Sequence, residues 1–212
     1  MKPKYDSQAY SIQNVYGQGG MLPHHRHILP AVLDLVQNNV GKRILDVGCG
    51  NGYISNALAT KGKEVVGIDF DENAVGIAQS VYPSIKFFRH RAEDAFKSFL
   101  ADADAVIAIE VIEHLYNPQE FLKNVYDTLR PGGVIILSTP YYGYLKNLIF
   151  SIFNIWDHAF TVSWQGGHIK FFSVTTMTQM LQELGYTDIQ FNNAGRFPGI
   201  WKSIVVRAKK PD

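Results

Sequence analysis

The chain has 212 residues, 46% of them hydrophobic and 18% charged, enough for one compact domain and too apolar for a disordered chain. Lys and Arg number 20 against 19 Asp and Glu, a formal net charge of +1. A protein that grips phosphate backbones normally carries a basic excess, so this balance disfavours nucleic acid as a partner. Cys49 is the single cysteine, which excludes an internal disulfide and fits a reducing, cytoplasmic setting. The opening residues, Met1-Lys2-Pro3-Lys4-Tyr5-Asp6-Ser7-Gln8, lack the apolar core of a secretory signal. The most lipid-like stretch, residues 145–160, is broken by Lys146, Asn147, Asn154 and Asp157 and is shorter than the ~20 apolar residues of a membrane span.

In chain order, residues 21–32 read as a leading helix that closes over a ligand crevice. Apolar runs and helical patterns then alternate: strand 43–47, helix 53–61, strand 64–69, helix 73–81, strand 85–89, strand 105–109, helix 119–129 and strand 134–138. Short, continuously apolar strands separated by helices predict a parallel sheet covered on both faces. Further on, Ser173 caps a helix that runs to Leu184 and stops at Gly185. Strands 189–192 and 203–208 follow with no helix between them, which predicts an antiparallel edge. The fold class is α/β: a doubly wound, mostly parallel seven-stranded sheet of Rossmann-like type, forming one domain over residues 1–212.

The first strand runs into Asp46-Val47-Gly48-Cys49-Gly50-Asn51-Gly52. Glycine lets the backbone turn sharply and approach a ligand closely, and the helix that follows aims free N–H groups at the crevice. Asp69, at the end of the second strand, is placed to accept the ribose hydroxyls of an adenosine. A dinucleotide fingerprint needs Gly-x-Gly-x-x-Gly, and here Tyr53 occupies the third glycine's place. Asp46 would also repel a pyrophosphate while suiting the ammonium of a methionine moiety. The turn therefore favours S-adenosylmethionine over NAD.

With those residues in view, Ile44-Leu45-Asp46-Val47-Gly48-Cys49-Gly50-Asn51-Gly52 resembles the first motif of class I S-adenosylmethionine-dependent methyltransferases. The resemblance continues through Arg91-Ala92-Glu93-Asp94, residues 104–110 and Leu129-Arg130-Pro131-Gly132-Gly133. It implies cofactor contacts from Asp46, Gly48, Cys49, Gly50, Asp69 and Phe70, with Ala92 and Glu93 at the adenine and Glu110 facing the methyl group. Arg91 stands where many members carry an aspartate. Glu110-Val111-Ile112-Glu113-His114-Leu115, followed by Pro118, is similar to the ubiquinone-biosynthesis O-methyltransferases. So is His25-Arg26, which implies that Arg26 reaches the methionine carboxylate.

Glu110, Glu113 and His114 lie just past the fourth strand, at the carboxyl edge where open sheets bind ligands. His168 sits in Gly166-Gly167-His168-Ile169-Lys170-Phe171-Phe172, before the last helix. Methyl transfer to oxygen needs a deprotonated hydroxyl, from a general base or from a metal that lowers the hydroxyl pKa. His114 or His168 can serve as the base, with Glu110 as a third catalytic candidate. Alternatively Glu110, Glu113, His114 and His168 bind one divalent ion, an arrangement similar to that of small-RNA 2′-O-methyltransferases. Such a mixed set suits Mn or Zn better than Ca.

Residues 140–165 carry Tyr141, Tyr142, Tyr144, Phe150, Phe153, Trp156, Phe160 and Trp164. Three readings fit: a lid (residues 140–170) over a pocket for an apolar acceptor, a membrane-surface contact, or a satellite core or homodimer contact. With Phe197 and Trp201 they make the pocket apolar. The expected function is methyl transfer from S-adenosylmethionine to a hydroxyl of a small apolar or aromatic acceptor, leaving S-adenosylhomocysteine. Metal-dependent RNA 2′-O-methylation and a non-catalytic S-adenosylmethionine-binding module are the alternatives.

Overall fold

The computed structural model describes residues 19–37, 40–156, 167–195, 197, 199 and 201–212. In chain order the elements are α1 (His25–Gln37), β1 (Arg43–Val47), α2 (Tyr53–Ala59), β2 (Glu64–Asp69), α3 (Glu72–Val81), β3 (Lys86–Arg89) and β4 (Ala103–Ile109). A short 3-10 turn (Ile112–His114) leads to α4 (Pro118–Thr128), β5 (Leu129–Pro140), α5 (Tyr144–Ile152), α6 (Val174–Glu183), β6 (Thr187–Ala194) and β7 (Ser203–Lys209).

The seven strands lie in the order β3-β2-β1-β4-β5-β7-β6. Neighbours among β1 to β5 are parallel, and β7 runs antiparallel to both β5 and β6. The doubly wound sheet and its antiparallel edge are as the sequence predicts. The chain winds outward from β1 to β3 and then returns to the other side of β1, so the switch point lies between β1 and β4. Ligands bind at that point, beyond the carboxyl ends of the strands.

Alternate residues of each central strand feed opposite faces of the sheet. Leu45, Val47, Val106 and Ile135 pack with Phe121, Leu122 and Val125 of α4 and Met177 and Leu181 of α6. Ile44, Ala105, Ile107 and Ile136 pack with Ile28, Val32 and Val36 of α1 and with Leu58 and Val75. Burial on both faces explains the continuous apolar runs, since neither side of these strands meets water. At the end of the sheet, Ser173 caps α6 through a reciprocal capping box with Thr176.

Two elements depart from the sequence reading by more than two residues, the others by at most two at an end. Strand β5 begins at Leu129 rather than 134, because Leu129 pairs with Ala103 across a register shift and draws the 130–133 turn into the strand. The leading helix starts at His25 and runs to Gln37, with Pro23 in the turn before it. The lipid-like stretch holds the nine-residue α5, and among the described residues no helix is long and apolar enough to cross a membrane.

Two glycines make opposite predictions. At Gly48, φ is +72° and an added Cβ would sit 2.3 Å from the Val111 Cγ2 atom. Gly48→Ala should therefore destabilise the chain by about 3 kcal/mol, combining left-handed strain with overpacking. Gly76 lies inside α3 with open space around its Cα, and Gly76→Ala should stabilise by about 0.5–1 kcal/mol. Urea unfolding of both variants checks the pair.

Candidate active site

The carboxyl ends of β1 and β4 open into a cavity of about 390 Å³. Asp46, the turn residues Gly48, Cys49, Gly50 and Asn51, and Glu110 line it from the sheet side. Leu22, His24 and His25 close it from the leading segment, and His114 and His168 complete the wall.

Backbone hydrogen bonds fix the glycine turn. The Gly48 and Cys49 N–H groups both donate to the Ile68 carbonyl, at 2.8 and 3.0 Å. Asp69 accepts the Gly50 N–H at 2.8 Å through one carboxylate oxygen and the Asp71 N–H at 2.9 Å through the other. It therefore fastens the β1 and β2 turns together, and each oxygen keeps a lone pair for a further donor. Gly48, Gly50 and Gly52 all have φ between +51° and +78°, a region costly for other residues. Asp46 is 2% exposed and accepts the Ser55 hydroxyl at 2.5 Å. Burial pushes its carboxyl up to about 7, against the Ser55 hydrogen bond and with help from the nearby Asp69 charge. Cys49 is buried in the turn, and that burial pushes its thiol well up, so it is inert as a nucleophile.

Arg26 is exposed and does not line the cavity. The apolar face of α1 falls at Ile28, Val32 and Val36, and that phase turns His25 inward and Arg26 to solvent. His25 stacks on Tyr53, with ring centroids 5.3 Å apart and planes 7° apart. Its Nδ1 accepts the Leu22 N–H at 3.1 Å, so the ring proton lies on Nε2. Burial, with His24 beside it, lowers its pKa to about 4, which keeps the ring neutral. The leading segment is tied down as Asn51 donates to the Gly20 carbonyl (2.8 Å) and Tyr82 to the Gly19 carbonyl (2.6 Å). Phe70, Ala92 and Glu93 do not line this cavity. Phe70 is exposed after β2, and Glu93 pairs with Arg91 at 2.7 Å, the residue that departs from the family pattern.

Across the cavity, Glu110 directly follows β4 with φ +55°, a strained backbone for a non-glycine residue and one found at functional sites. Its N–H and one carboxylate oxygen both bond the Ser138 hydroxyl, at 3.1 and 2.7 Å. Burial raises its pKa, and the Ser138 and Ser203 hydroxyls and the Lys146 charge oppose the rise. The 3-10 turn then swings Glu113 inward to full burial. The Glu113 carbonyl accepts the Ile169 and Lys170 N–H groups at 2.9 and 3.0 Å, which draws the His168 segment alongside.

Glu113 Oε1 lies 4.0 Å from His114 Nε2 and 3.9 Å from His168 Nε2. Neither Glu113 oxygen has a hydrogen-bond partner among the described residues. The buried Thr139 hydroxyl is close to it but outside hydrogen-bond geometry. Burial, and then the Glu110 charge, push the Glu113 pKa well up. His114 Nδ1 meets the Gly167 carbonyl at 3.2 Å, and His168 Nδ1 meets the Tyr142 hydroxyl at 3.0 Å. Those contacts turn both Nε2 atoms toward Glu113. Of the four ligand candidates, three come together, with ligand atoms within 4.8 Å of one another. Glu110 stands apart, held by Ser138. Ser55 and Ser138 went unread in the sequence, although a serine closing the apolar run of β5 was a usable signal; Tyr142 was read only as one of the insert's aromatics, not as the partner of His168.

A doubly wound sheet in this order, with a glycine turn and acids at its switch point, defines the class: a Rossmann-like methyltransferase fold. Residues 23–190 match the family described as a methyltransferase domain, and the chain belongs to that family. A probable S-adenosylmethionine-dependent methyltransferase of Mycolicibacterium smegmatis is 35% identical over 106 residues, 50% of this chain and 41% of that protein. A ubiquinone biosynthesis O-methyltransferase of Azoarcus sp. is 35% identical over 119 residues, 53% of this chain and 51% of that protein. The chain thus spans about half the length of these curated relatives. Among solved structures, magnesium protoporphyrin IX methyltransferase from Synechocystis PCC 6803, with bound SAH, is similar in fold. Its TM-score is 0.68 at 18% identity, covering 93% of this chain and 92% of that one.

Proposed function

We propose that this chain transfers a methyl group from S-adenosylmethionine to a hydroxyl oxygen of a small aromatic or apolar acceptor. The observation that carries the reading is the shared cavity. Its β1 wall offers a buried carboxylate and a glycine cradle, and its β4 wall offers an acid–histidine cluster. The turn residues Gly48, Cys49, Gly50 and Asn51 line the cavity, and its glycines leave the backbone open to a ligand that approaches closely. Asp46 receives the methionine ammonium, and the neutral His25 donates its Nε2–H to the carboxylate. Asp69, Phe70, Ala92 and Glu93 extend toward the adenosine. The methyl donor is already activated, so the chain's main work is to align acceptor oxygen, methyl and sulfur.

The acceptor hydroxyl belongs beside His114 and His168. A fully buried carboxyl with no hydrogen-bond partner among the described residues, facing two imidazole nitrogens, is a donor set for a divalent cation such as Mn or Zn. Glu113, His114 and His168 would hold it, and it would lower the pKa of the acceptor hydroxyl. Glu110 then faces the cofactor side. Residues 140–156, rich in aromatics, act as the lid that shapes the acceptor pocket.

The assignment of His25 predicts that His25→Phe weakens S-adenosylhomocysteine binding about tenfold, the value of one hydrogen bond to a charged group. Arg26→Ala should leave that affinity unchanged, as calorimetric titration would measure. For the function itself, the protein is incubated with methyl-labelled S-adenosylmethionine, Mn and a panel of hydroxyl, amine and thiol acceptors. O-methylated product identified by mass spectrometry supports the reading. Transfer to nitrogen or carbon alone refutes the acceptor class, and cofactor binding without transfer to any acceptor points to a non-catalytic module.

A further inference from the structure

The two histidines of the cluster are held by different kinds of partner. His114 Nδ1 meets the Gly167 carbonyl at 3.2 Å. A carbonyl only accepts, so in the neutral ring Nδ1 carries the proton and Nε2 is a bare lone pair. His168 Nδ1 meets the Tyr142 hydroxyl at 3.0 Å, and a hydroxyl can donate or accept. The backbone thus settles His114, whereas a single side chain settles His168.

Tyr142 is itself fixed by two elements. It follows β5, and the first turn of α5 grips the backbone that carries it. Asn147 donates to the Tyr142 carbonyl at 3.1 Å, and Lys146 donates to the Tyr141 carbonyl at 2.8 Å. From the other side Phe171 packs edge-on against the Tyr142 ring, with centroids 5.0 Å apart and planes 71° apart. Burial, with the Glu113 and Glu110 charges beside it, pushes the phenol pKa up, so the group stays a neutral hydroxyl. Tyr142 does not line the cavity, and it meets His168 at the nitrogen turned away from Glu113.

Where the His168 proton sits follows from what each nitrogen can reach. A neutral imidazole carries one proton. On Nε2 that proton would face Glu113 Oε1 at 3.9 Å, beyond hydrogen-bond reach. On Nδ1 it meets the Tyr142 oxygen at 3.0 Å. The second arrangement satisfies the proton and turns a bare Nε2 toward Glu113 and the cavity, as His114 does from its own side.

We propose that Tyr142 is the positioning residue of the cluster: its hydroxyl oxygen accepts the His168 Nδ1–H, which fixes the ring and leaves Nε2 free to bind an ion or take a proton. This rests on reading His168 Nε2 as a working atom of the acceptor side. Through Tyr142 the seat of α5 is transmitted to the cluster, so the aromatic insert acts on the chemistry as well as on the shape of the pocket. A partner of this kind behind a metal-bound histidine is worth about 10–100-fold in metal affinity.

The test uses the full chain with isotopically labelled histidine, as wild type, Tyr142→Phe and Tyr144→Phe. Nitrogen NMR reads the tautomer of His168, and calorimetry reads the affinity for Zn. In the Zn-free wild type His168 should carry its proton on Nδ1. Tyr142→Phe keeps the ring and removes the hydroxyl, so the Nε2–H form should grow and Zn affinity should fall about tenfold. Tyr144→Phe removes an exposed hydroxyl of the same insert and should change neither. Unchanged affinity for S-adenosylhomocysteine in all three chains reports an intact fold. A wild-type His168 protonated on Nε2 overturns the proposal, whether or not a variant folds. So does a tautomer that Tyr142→Phe leaves unchanged, or Zn bound equally tightly by both chains. If no chain binds Zn but Tyr142→Phe still moves the His168 proton, the positioning role stands and the metal reading fails.

Discussion

Adding Mn or Zn to the metal-stripped protein should raise its melting temperature by roughly 5–10 °C. At a concentration about 100-fold above Kd, an ion bound only by the folded chain adds about 2.7 kcal/mol. For a domain of this size each kcal/mol is worth about 2–4 °C. The ion would relieve a specific defect, because Glu113 is fully buried and neither carboxylate oxygen has a hydrogen-bond partner among the described residues. A buried carboxyl in that state carries a desolvation cost that only a proton or a cation can offset. Glu113→Gln keeps the shape of the side chain and removes the charge, so it should fold and show no metal-dependent shift. His168→Ala should behave likewise, whereas Glu110→Gln should keep much of the shift, since Glu110 stands outside the cluster. Melting curves with and without chelator decide the matter. A shift that survives Glu113→Gln would remove the metal from this site and leave the cofactor half of the account intact.

The second large effect concerns Asp46. Its carboxyl is raised to about 7 by burial, so in the empty protein much of it is protonated at neutral pH. The methionine ammonium needs the ionised form. Affinity for S-adenosylhomocysteine should therefore rise about tenfold between about pH 6 and about pH 7.5, as the carboxyl ionises through its raised pKa. Asp46→Asn should abolish that pH dependence and weaken binding about 100-fold, equivalent to ~2.7 kcal/mol. The sign for stability runs the other way. A raised carboxyl favours the folded state most at low pH, and that contribution is lost as pH rises toward 7. The ligand-free Asp46→Asn protein, spared this loss, should be at least as stable as the wild type at pH 8. Calorimetry across this pH range, paired with urea unfolding, separates lost binding from lost folding.

The parallel core was open to reading from the chain alone, for a physical reason. Strands β1 and β2 match the sequence reading residue for residue, because strands buried on both faces are unbroken apolar runs between polar breaks. The glycine turn and Asp69 were equally legible, since their chemistry is local to one strand–turn–helix unit. What escaped depended on contacts between distant segments. Arg26 and His25 are adjacent, and only the phase of α1 against the sheet decides which one faces the cavity. Residue types marked Glu110, Glu113, His114 and His168 as one group. The Ser138 hydroxyl, 28 positions from Glu110, separates Glu110 from the rest. The Glu113 carbonyl, by holding Ile169 and Lys170, brings His168 to Glu113 across 55 positions. No periodicity encodes either bond.

The aromatic insert was the least legible segment. Its helix α5 buries none of its residues, and Tyr144 and Ile152 within it, with Phe153 just after it, are among the most exposed apolar side chains. Phe160 and Trp164, counted with the insert in the sequence, lie outside the described residues. The insert meets the cavity wall through Tyr142, whose hydroxyl lies 3.0 Å from His168 Nδ1.

The central claim is that the cavity between β1 and β4 holds S-adenosylmethionine. Titration of the purified chain with S-adenosylhomocysteine and, separately, with NAD tests it most directly. The account predicts one molecule of S-adenosylhomocysteine bound per chain, weakened by Asp46→Asn and His25→Phe, with no heat from NAD. Binding of NAD without S-adenosylhomocysteine, or S-adenosylhomocysteine binding indifferent to Asp46→Asn, would contradict it.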